Sequence, residues 1–241
     1  MQFIKLDATT STNAFIKELI QLGKATDQLV VTANYQTAGR GQLGTSWQAE
    51  PGKNIIMSTL YKYELPADQL FVWNAAVALA AATTLQHFEI PDIQIKWPND
   101  ILSDKLKVAG ILIENIFKAD GTVWSIIGIG LNVNQVQFEQ LPKATSMANQ
   151  TQTAFDLELV LQKLVDQMAV FIEKAKTNSS EIWALYHQLL YGKNQWMSFT
   201  RPDHSPFIAF VLGVTERGML QLRHEDDNIE LVELKQVGWD L

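Results

Sequence analysis

Lys107-Val108-Ala109-Gly110-Ile111-Leu112-Ile113-Glu114 and Val123-Trp124-Ser125-Ile126-Ile127-Gly128-Ile129-Gly130-Leu131 are two β-rich apolar runs separated by Lys118-Ala119-Asp120-Gly121. Asp-Gly between such runs marks a tight hairpin, so they read as adjacent strands at the centre of a sheet. Gly110, Gly128 and Gly130 lie inside them, and glycine weakens a strand unless something must come close to its backbone. A small molecule lying on the sheet would account for all three.

Working outward, Ile93-Gln94-Ile95-Lys96-Trp97 alternates as a strand and stops at Pro98-Asn99-Asp100, a turn that exposes an amide and a carboxylate. Residues 66–88 form a long alanine-rich helix with Leu70, Trp73, Val77 and Leu85 at apolar positions. Further strands are expected at 3–6, 29–32 and 54–60. After Thr9-Thr10-Ser11-Thr12-Asn13, a helix carries Phe15, Ile16, Leu19 and Ile20 at helical spacing, with Gly23 as its stop. That run of hydroxyl and amide side chains exceeds what one helix cap requires. Residues 133–152 are polar and aperiodic, with one short helical turn near Thr145-Ser146-Met147, and 155–174 and 180–191 read as amphipathic helices.

From Gly192 onward the texture changes to short strands at 195–200, 207–214, 219–223 and 229–234, with Glu216-Arg217-Gly218 as a tight turn. Such a segment matches a small β-barrel. The fold class is therefore α+β. A mixed sheet with helices packed on one face occupies residues 1–192, and the barrel comes after it at 193–241.

Between the strands at 29–32 and 54–60 lies Tyr35-Gln36-Thr37-Ala38-Gly39-Arg40-Gly41-Gln42-Leu43-Gly44-Thr45-Ser46-Trp47. Gly39, Gly41 and Gly44 leave the backbone free to approach a ligand, and Arg40 sets a permanent cation among exposed amides, an arrangement suited to an anion. It lacks the following helix of a dinucleotide fingerprint.

The chain has 241 residues, 47% of them hydrophobic, with a net charge of -7 and an isoelectric point near 5.1. That is enough for a sizeable core, and the acidic balance counts against a nucleic-acid binder working through a basic surface. The absence of cysteine removes disulfides, zinc-thiolate sites and cysteine nucleophiles. Met1-Gln2-Phe3-Ile4-Lys5-Leu6-Asp7 is no secretory signal, and the apolar stretch 70–82 is shorter than the ~20 residues a membrane span needs, so a cytoplasmic protein is expected.

His87, His187, His204 and His224 have no metal-ligand spacing, and no Gly-x-Ser-x-Gly elbow is present. What remains is Arg40, Lys96, Lys107 and Asp100. Singly, Asp100 suits an Asx-turn, Lys107 a solvated strand end and Arg40 a surface pair. Together, a lysine, an arginine and a carboxylate able to hold Mg²⁺ are what phosphate chemistry requires.

Ser11-Thr12-Asn13, Gln36-Thr37-Ala38-Gly39-Arg40-Gly41 with Gly44 and Trp47, Lys96-Trp97-Pro98-Asn99-Asp100, Lys107 with Ala109-Gly110-Ile111-Leu112, and Gly128-Ile129-Gly130-Leu131-Asn132-Val133-Asn134 closely resemble the blocks of biotin protein ligases. The form resembled lacks an N-terminal DNA-binding domain. The resemblance implies a class II synthetase-like catalytic sheet with an SH3-like C-terminal cap. It also implies two steps: biotin and ATP give biotinyl-5′-AMP, and biotin then passes to a lysine of a biotin carboxyl carrier domain. By the same resemblance Ser11, Thr12 and Gln36 meet the ureido head, and Asn13, Gly39, Arg40, Trp47, Lys107, Gly110 and Leu112 complete the biotin site. Arg40, Gly41, Asn99, Asp100, Lys107 and Asn132 serve the nucleotide. Lys107, Arg40 and Asp100 carry catalysis, with Asp100 also serving Mg²⁺, and residues 133–143 close over the adenylate. No nucleic acid or membrane partner is implied, and the protein is a monomer or homodimer. A lipoate or octanoate ligase, lacking the ureido contacts, and a non-catalytic binding module are the alternatives.

One departure stands out. Many members carry basic residues after Gly-Arg-Gly, whereas this chain has Gln42 and Leu43, which leaves Arg40 the loop's only cation. Retention of the adenylate is then weaker, or another cation compensates. On this basis Arg40→Ala should raise the biotin and ATP concentrations needed for half-maximal adenylation steeply. A near-normal variant in steady-state assays would mean that the loop works through its amides.

Overall fold

The computed structural model describes residues 2–64, 70–139 and 141–240. The elements begin with β1 (Gln2–Thr9), α1 (Thr12–Gln21), β2 (Leu29–Gln36), β3 (Ile55–Tyr63) and α2 (Phe71–His87). Next come β4 (Ile93–Lys96), β5 (Asp100–Ser103), β6 (Leu106–Phe117), β7 (Val123–Leu131), α3 (Met147–Thr151), α4 (Leu157–Thr177) and α5 (Ser179–Leu189). The last strands are β8 (Trp196–Thr200), β9 (Pro206–Val214), β10 (Leu220–Arg223), β11 (Ile229–Val232) and β12 (Gly238–Trp239). The first turn expected for the helix at 66–88, residues 66–69, lies outside the described residues.

The first sheet runs β1-β2-β3-β7-β6-β5-β4. Only the β1–β2 pair is parallel. The β6–β7 hairpin is central and long, closed by Lys118 N–H donating to Thr122 O (2.9 Å) and Gly121 N–H to Lys118 O (3.1 Å). Gly121 has φ +85°, the left-handed conformation that Asp-Gly turns demand. Asp100–Ser103, where the sequence suggests only the end of a turn, is a four-residue strand pairing with both β4 and β6.

Strand alternation sorts the two faces. Val30, Tyr61, Ile127 and Ile129 enter the larger core with α2, α4 and α5. Leu29, Val31, Leu60 and Ile126 turn the other way, against α1 residues Phe15, Ile16, Leu19 and Ile20. Three long helices thus share one face, as expected, while α1 lies on the opposite one. Gly128 and Gly130 continue the Ile126 face, so it is the α1 side that the strand glycines hollow out.

The C-terminal strands form a separate antiparallel sheet in the order β11-β10-β9-β8-β12. Two indoles join it to the first sheet: Trp97 Nε1 donates to Gly218 O (2.8 Å), and Trp239 Nε1 donates to Trp97 O (3.0 Å). Val214 N–H donates to His187 Nε2 at 3.0 Å. Burial pushes that imidazole below its ordinary range, which suits a neutral acceptor. No described helix is long and apolar enough to cross a membrane.

Trp73 of α2 is fully buried, stacked on Tyr63 with ring centroids 3.7 Å apart and edge-on to Tyr61. Trp73→Ala should cost about 3–5 kcal/mol of unfolding free energy in urea titrations, because α2 is buried along most of its length and cannot collapse into the void.

Candidate functional site

On the α1 face a cavity of ≈ 470 Å³ opens over the central strands. Its lining includes Ser11, Thr12, Asn13, Gln36, Arg40, Gly41, Trp47, Asn99, Asp100, Lys107, Gly110 and Leu112. The structure thus brings together residues from four separate sequence blocks, and Gly128 and Gly130 of a fifth also line the cavity. Of the expected site residues, Gly39 and Asn132 do not line it.

One end is polar and uncharged. Ser11 is the N-cap of α1, yet its side chain makes no capping bond. The exposed N–H groups of a helix start need acceptors, and Thr12 N–H finds Gln36 Oε1 at 2.7 Å, reaching across from the end of β2. Asn13, one residue further, donates through Nδ2 to Glu114 Oε2 (2.8 Å).

The other end is charged. Lys96 and Asp100 face each other across the β4–β5 ladder, and Asp100 faces Gly110 on β6. Asp100 Oδ2 lies 2.9 Å from Lys96 Nζ and Oδ1 lies 2.6 Å from Lys107 Nζ. Burial alone would raise this carboxyl, but the charges of Lys107 and Lys96 and their hydrogen bonds hold it below the usual carboxylate range. Asn99 Nδ2 donates to Ile111 O (2.8 Å), and Ile111 N–H donates to Asn99 O (2.9 Å), which fixes the turn against β6.

Between the ends lies the indole of Trp47. A Cβ on Gly130 would fall 2.2 Å from Trp47 Cε2, and one on Gly110 3.0 Å from Cζ3, while on Gly128 it would meet Asn13 Oδ1 at 2.6 Å. The three strand glycines therefore make room for the protein's own side chains, rather than directly for a ligand as the sequence alone suggested. Gly110 and Gly130 are opposite each other in register, so they form one flat floor for the ring. The glycine loop is itself a small hairpin: Gly41 N–H donates to Thr45 O (2.7 Å) and Trp47 N–H to Gly39 O (3.0 Å). Only Gly44 uses a left-handed φ, +87°. Gly39 and Gly41 are needed because a Cβ would strike Trp47 O at 2.5 Å or Thr45 Oγ1 at 2.3 Å. Arg40 is exposed at the rim and, among the described residues, makes no ion pair.

Residues 5–134 match the model of the biotin/lipoate A/B protein ligase family. The chain belongs to that family. It is 31% identical to the biotin–[acetyl-CoA-carboxylase] ligase of Mycobacterium tuberculosis, over 89% of this chain and 80% of that one. It is 29% identical to the bifunctional ligase/repressor BirA of Bacillus subtilis, over 90% and 67%. The biotin protein ligase from Aquifex aeolicus, solved with biotin and ATP, shares the fold with a TM-score of 0.81 at 24% identity, over 98% and 97% of the two chains.

Three expected parts of the nucleotide site remain: Asn132, Asp100 as a metal ligand, and residues 133–143. Asn132 is buried, with Nδ2 donating to Thr145 O (2.9 Å), its N–H to Val108 O (2.9 Å) and its carbonyl accepting Met147 N–H (3.1 Å). It braces the segment leading to α3. Asp100 is the lining's only carboxylate among the described residues, both its oxygens are taken by lysines, and no described group of three or more His, Cys, Asp or Glu could hold a metal. The residues do not fit a resident Mg²⁺ site, so any Mg²⁺ arrives with a nucleotide's phosphates. None of the described residues of 133–143 lines the cavity, and Gln140 lies outside the described residues. Leu234, Lys235, Val237, Gly238 and Trp239, which the sequence alone did not name, do line it. A two-residue strand offers no periodicity to detect, so nothing local in the sequence announced them.

Asp100 contributes stability present above its unfolded pKa and lost as pH falls through its lower folded pKa. Asp100→Asn should cost about 1–3 kcal/mol at pH 7 by leaving two lysines without their partner, and the difference from wild type should shrink below about pH 4. Urea unfolding at both pH values checks this; an unchanged difference would count against the ion pairs.

Proposed function

We propose that this protein is a biotin protein ligase that joins biotin to ATP as biotinyl-5′-AMP and then biotinylates a lysine of a biotin carboxyl carrier domain. The observation that carries the proposal is one cavity with two unlike ends, uncharged hydrogen-bonding groups at Ser11, Thr12 and Gln36, and the Lys96–Asp100–Lys107 cluster at the other, with Trp47 between. A bicyclic ureido head with an aliphatic tail and a carboxylate has that same order of groups. Residues 1–192 would form the catalytic unit and 193–241 its cap.

In the first step a biotin carboxylate oxygen attacks the α-phosphorus, the P–O bond to pyrophosphate breaks, and pyrophosphate carries away the electron pair. Two anions must meet, and a cation about 4 Å from a unit negative charge contributes roughly 4 kcal/mol at an effective dielectric near 20. Lys107 and Arg40 supply that charge. Asp100 fixes Lys107 and Lys96 so that they need not reorganise as charge builds on the phosphate. In the second step the lysine amine attacks the acyl carbonyl, the C–O bond to AMP breaks, and the nitrogen loses a proton. The Trp47 indole and the Leu234–Trp239 segment limit water at the mixed anhydride.

Incubation with ATP, Mg²⁺, a carrier domain and either biotin or lipoate should add one biotinyl mass to the carrier and no lipoyl mass. Lys107→Ala should lower adenylation by about 10²–10³-fold, the effect of removing one charge-stabilising group. No biotinyl product from the wild type would sink the proposal.

A further inference from the structure

Directly behind the uncharged end stand Ser58 of β3, Glu114 of β6 and Lys17 of α1, none of which lines the cavity. Ser58 is fully buried. Lys17 Nζ donates to Glu114 Oε1 at 2.6 Å, and Asn13 Nδ2 donates to Glu114 Oε2 at 2.8 Å. Burial would raise the Glu114 carboxyl, but hydrogen bonds from Lys17 and Asn13, with the charges of Lys17 and Arg40, hold it below the ordinary range. Glu114 is therefore purely an acceptor at neutral pH. An acceptor at that point fixes the Asn13 amide, NH₂ toward Glu114 and Oδ1 toward Ser58.

The hydrogens behind the wall can then be counted. Ser58 Oγ lies 2.5 Å from Asn13 Oδ1 and 2.6 Å from Thr12 Oγ1. Asn13 Oδ1 brings no hydrogen, so Ser58 gives it its single one. On the Thr12 side Ser58 can then only accept, and the hydrogen in that contact belongs to Thr12. Thr12 Oγ1 is also 3.1 Å from Gln36 Oε1, which already accepts Thr12 N–H at 2.7 Å. Were Thr12 to donate to Gln36 instead, either the short Ser58–Thr12 contact would hold no hydrogen or buried Asn13 Oδ1 would lose its donor. The relay from Glu114 leaves Thr12 Oγ1 and Gln36 Oε1 side by side as two acceptors with lone pairs free, and both residues line the cavity.

We propose that Ser58 and Glu114 are positioning residues that turn the Thr12 hydroxyl into an acceptor toward the cavity, where with Gln36 Oε1 it selects a ligand presenting an N–H. This rests on the function proposed above, in which that group is one ureido N–H of biotin. A site built to receive an N–H rejects a head without one, such as a dithiolane, because its buried acceptors would be left without a donor.

The test compares biotin with its two γ-lactam analogues, in which one or the other ureido N–H is replaced by CH₂, by calorimetric binding and adenylation kinetics. The wild type should bind one lactam at least about tenfold more weakly than biotin, in line with discrimination by a lost hydrogen bond. Ser58→Ala should raise KM for biotin several-fold, leave KM for ATP unchanged and lose most of the preference against that lactam. Glu114→Gln, which replaces one carboxylate oxygen by NH₂ and lets the Asn13 amide turn over, should lose part of the same preference and serves if Ser58→Ala does not fold. Full preference retained in Glu114→Gln, or in folded Ser58→Ala, overturns the relay. A wild type that binds both lactams as well as biotin overturns it too, whereas a wild type that does not bind biotin refutes the proposed function instead.

Discussion

A carboxylate buried between two ammonium groups sets the geometry on which the rest of the site depends. Asp100 sits on β5 between Lys96 of β4 and Lys107 of β6, so its two ion pairs tie three adjacent strands at the point where the ladder ends. Such a cluster is a costly way to gain stability, because desolvating three charges offsets most of their attraction. In the function proposed above, its value lies in placing two positive groups at fixed positions with their counter-ion already present, so that the unliganded site does not repel itself open. An arriving anion then adds to a cluster whose shape is already set, and little reorganisation is left for the moment of reaction.

The same turn carries the link to the C-terminal sheet. Trp97 gives its indole hydrogen to Gly218 and receives that of Trp239 on its carbonyl, so one residue of the Lys96–Asp100 turn is held from both sides by the second sheet. Trp239 and Lys235 in turn line the cavity. The C-terminal sheet therefore contributes wall to the site as well as covering an edge of the fold, and displacing it would disturb the charged end before the uncharged one.

How much of this was legible depended on whether a signal was local. The central hairpin was, because Asp-Gly and two long apolar runs leave few other arrangements, and the helices at 157–177 and 179–189 were readable from their spacing. The glycines announced a close approach but not what approaches: Trp47 and Asn13 are 63 and 115 residues away from Gly110 and Gly128 in sequence, and only folding brings them there. β5 was missed because four residues after a proline turn carry no period. Asn132 read as a ligand group by position in a motif; its Nδ2, N–H and carbonyl meet the backbone of 145, 108 and 147, while its buried Oδ1 has no partner among the described residues. Ser58 gave no signal at all, since a serine inside Ile55–Tyr63 looks like an ordinary strand residue until Thr12 and Asn13 are seen against it.

The charge balance of the cavity runs opposite to that of the chain. Arg40, Lys96, Lys107 and Lys235 face one carboxylate among the described lining residues, in a protein whose net charge is -7. A concave site with low-dielectric walls concentrates its field, so this local excess acts on an approaching polyphosphate more strongly than the distant surface carboxylates, which water and salt screen over about 8–10 Å. The glycine loop alone would present a single cation, Arg40. With Lys235 brought from the far end of the chain and the two lysines held by Asp100, the positive charge comes from four separate segments. Their spacing is set by strand pairing and indole ties rather than by the loop's own sequence, and a loop carrying Gln42 and Leu43 can therefore still border a cationic site.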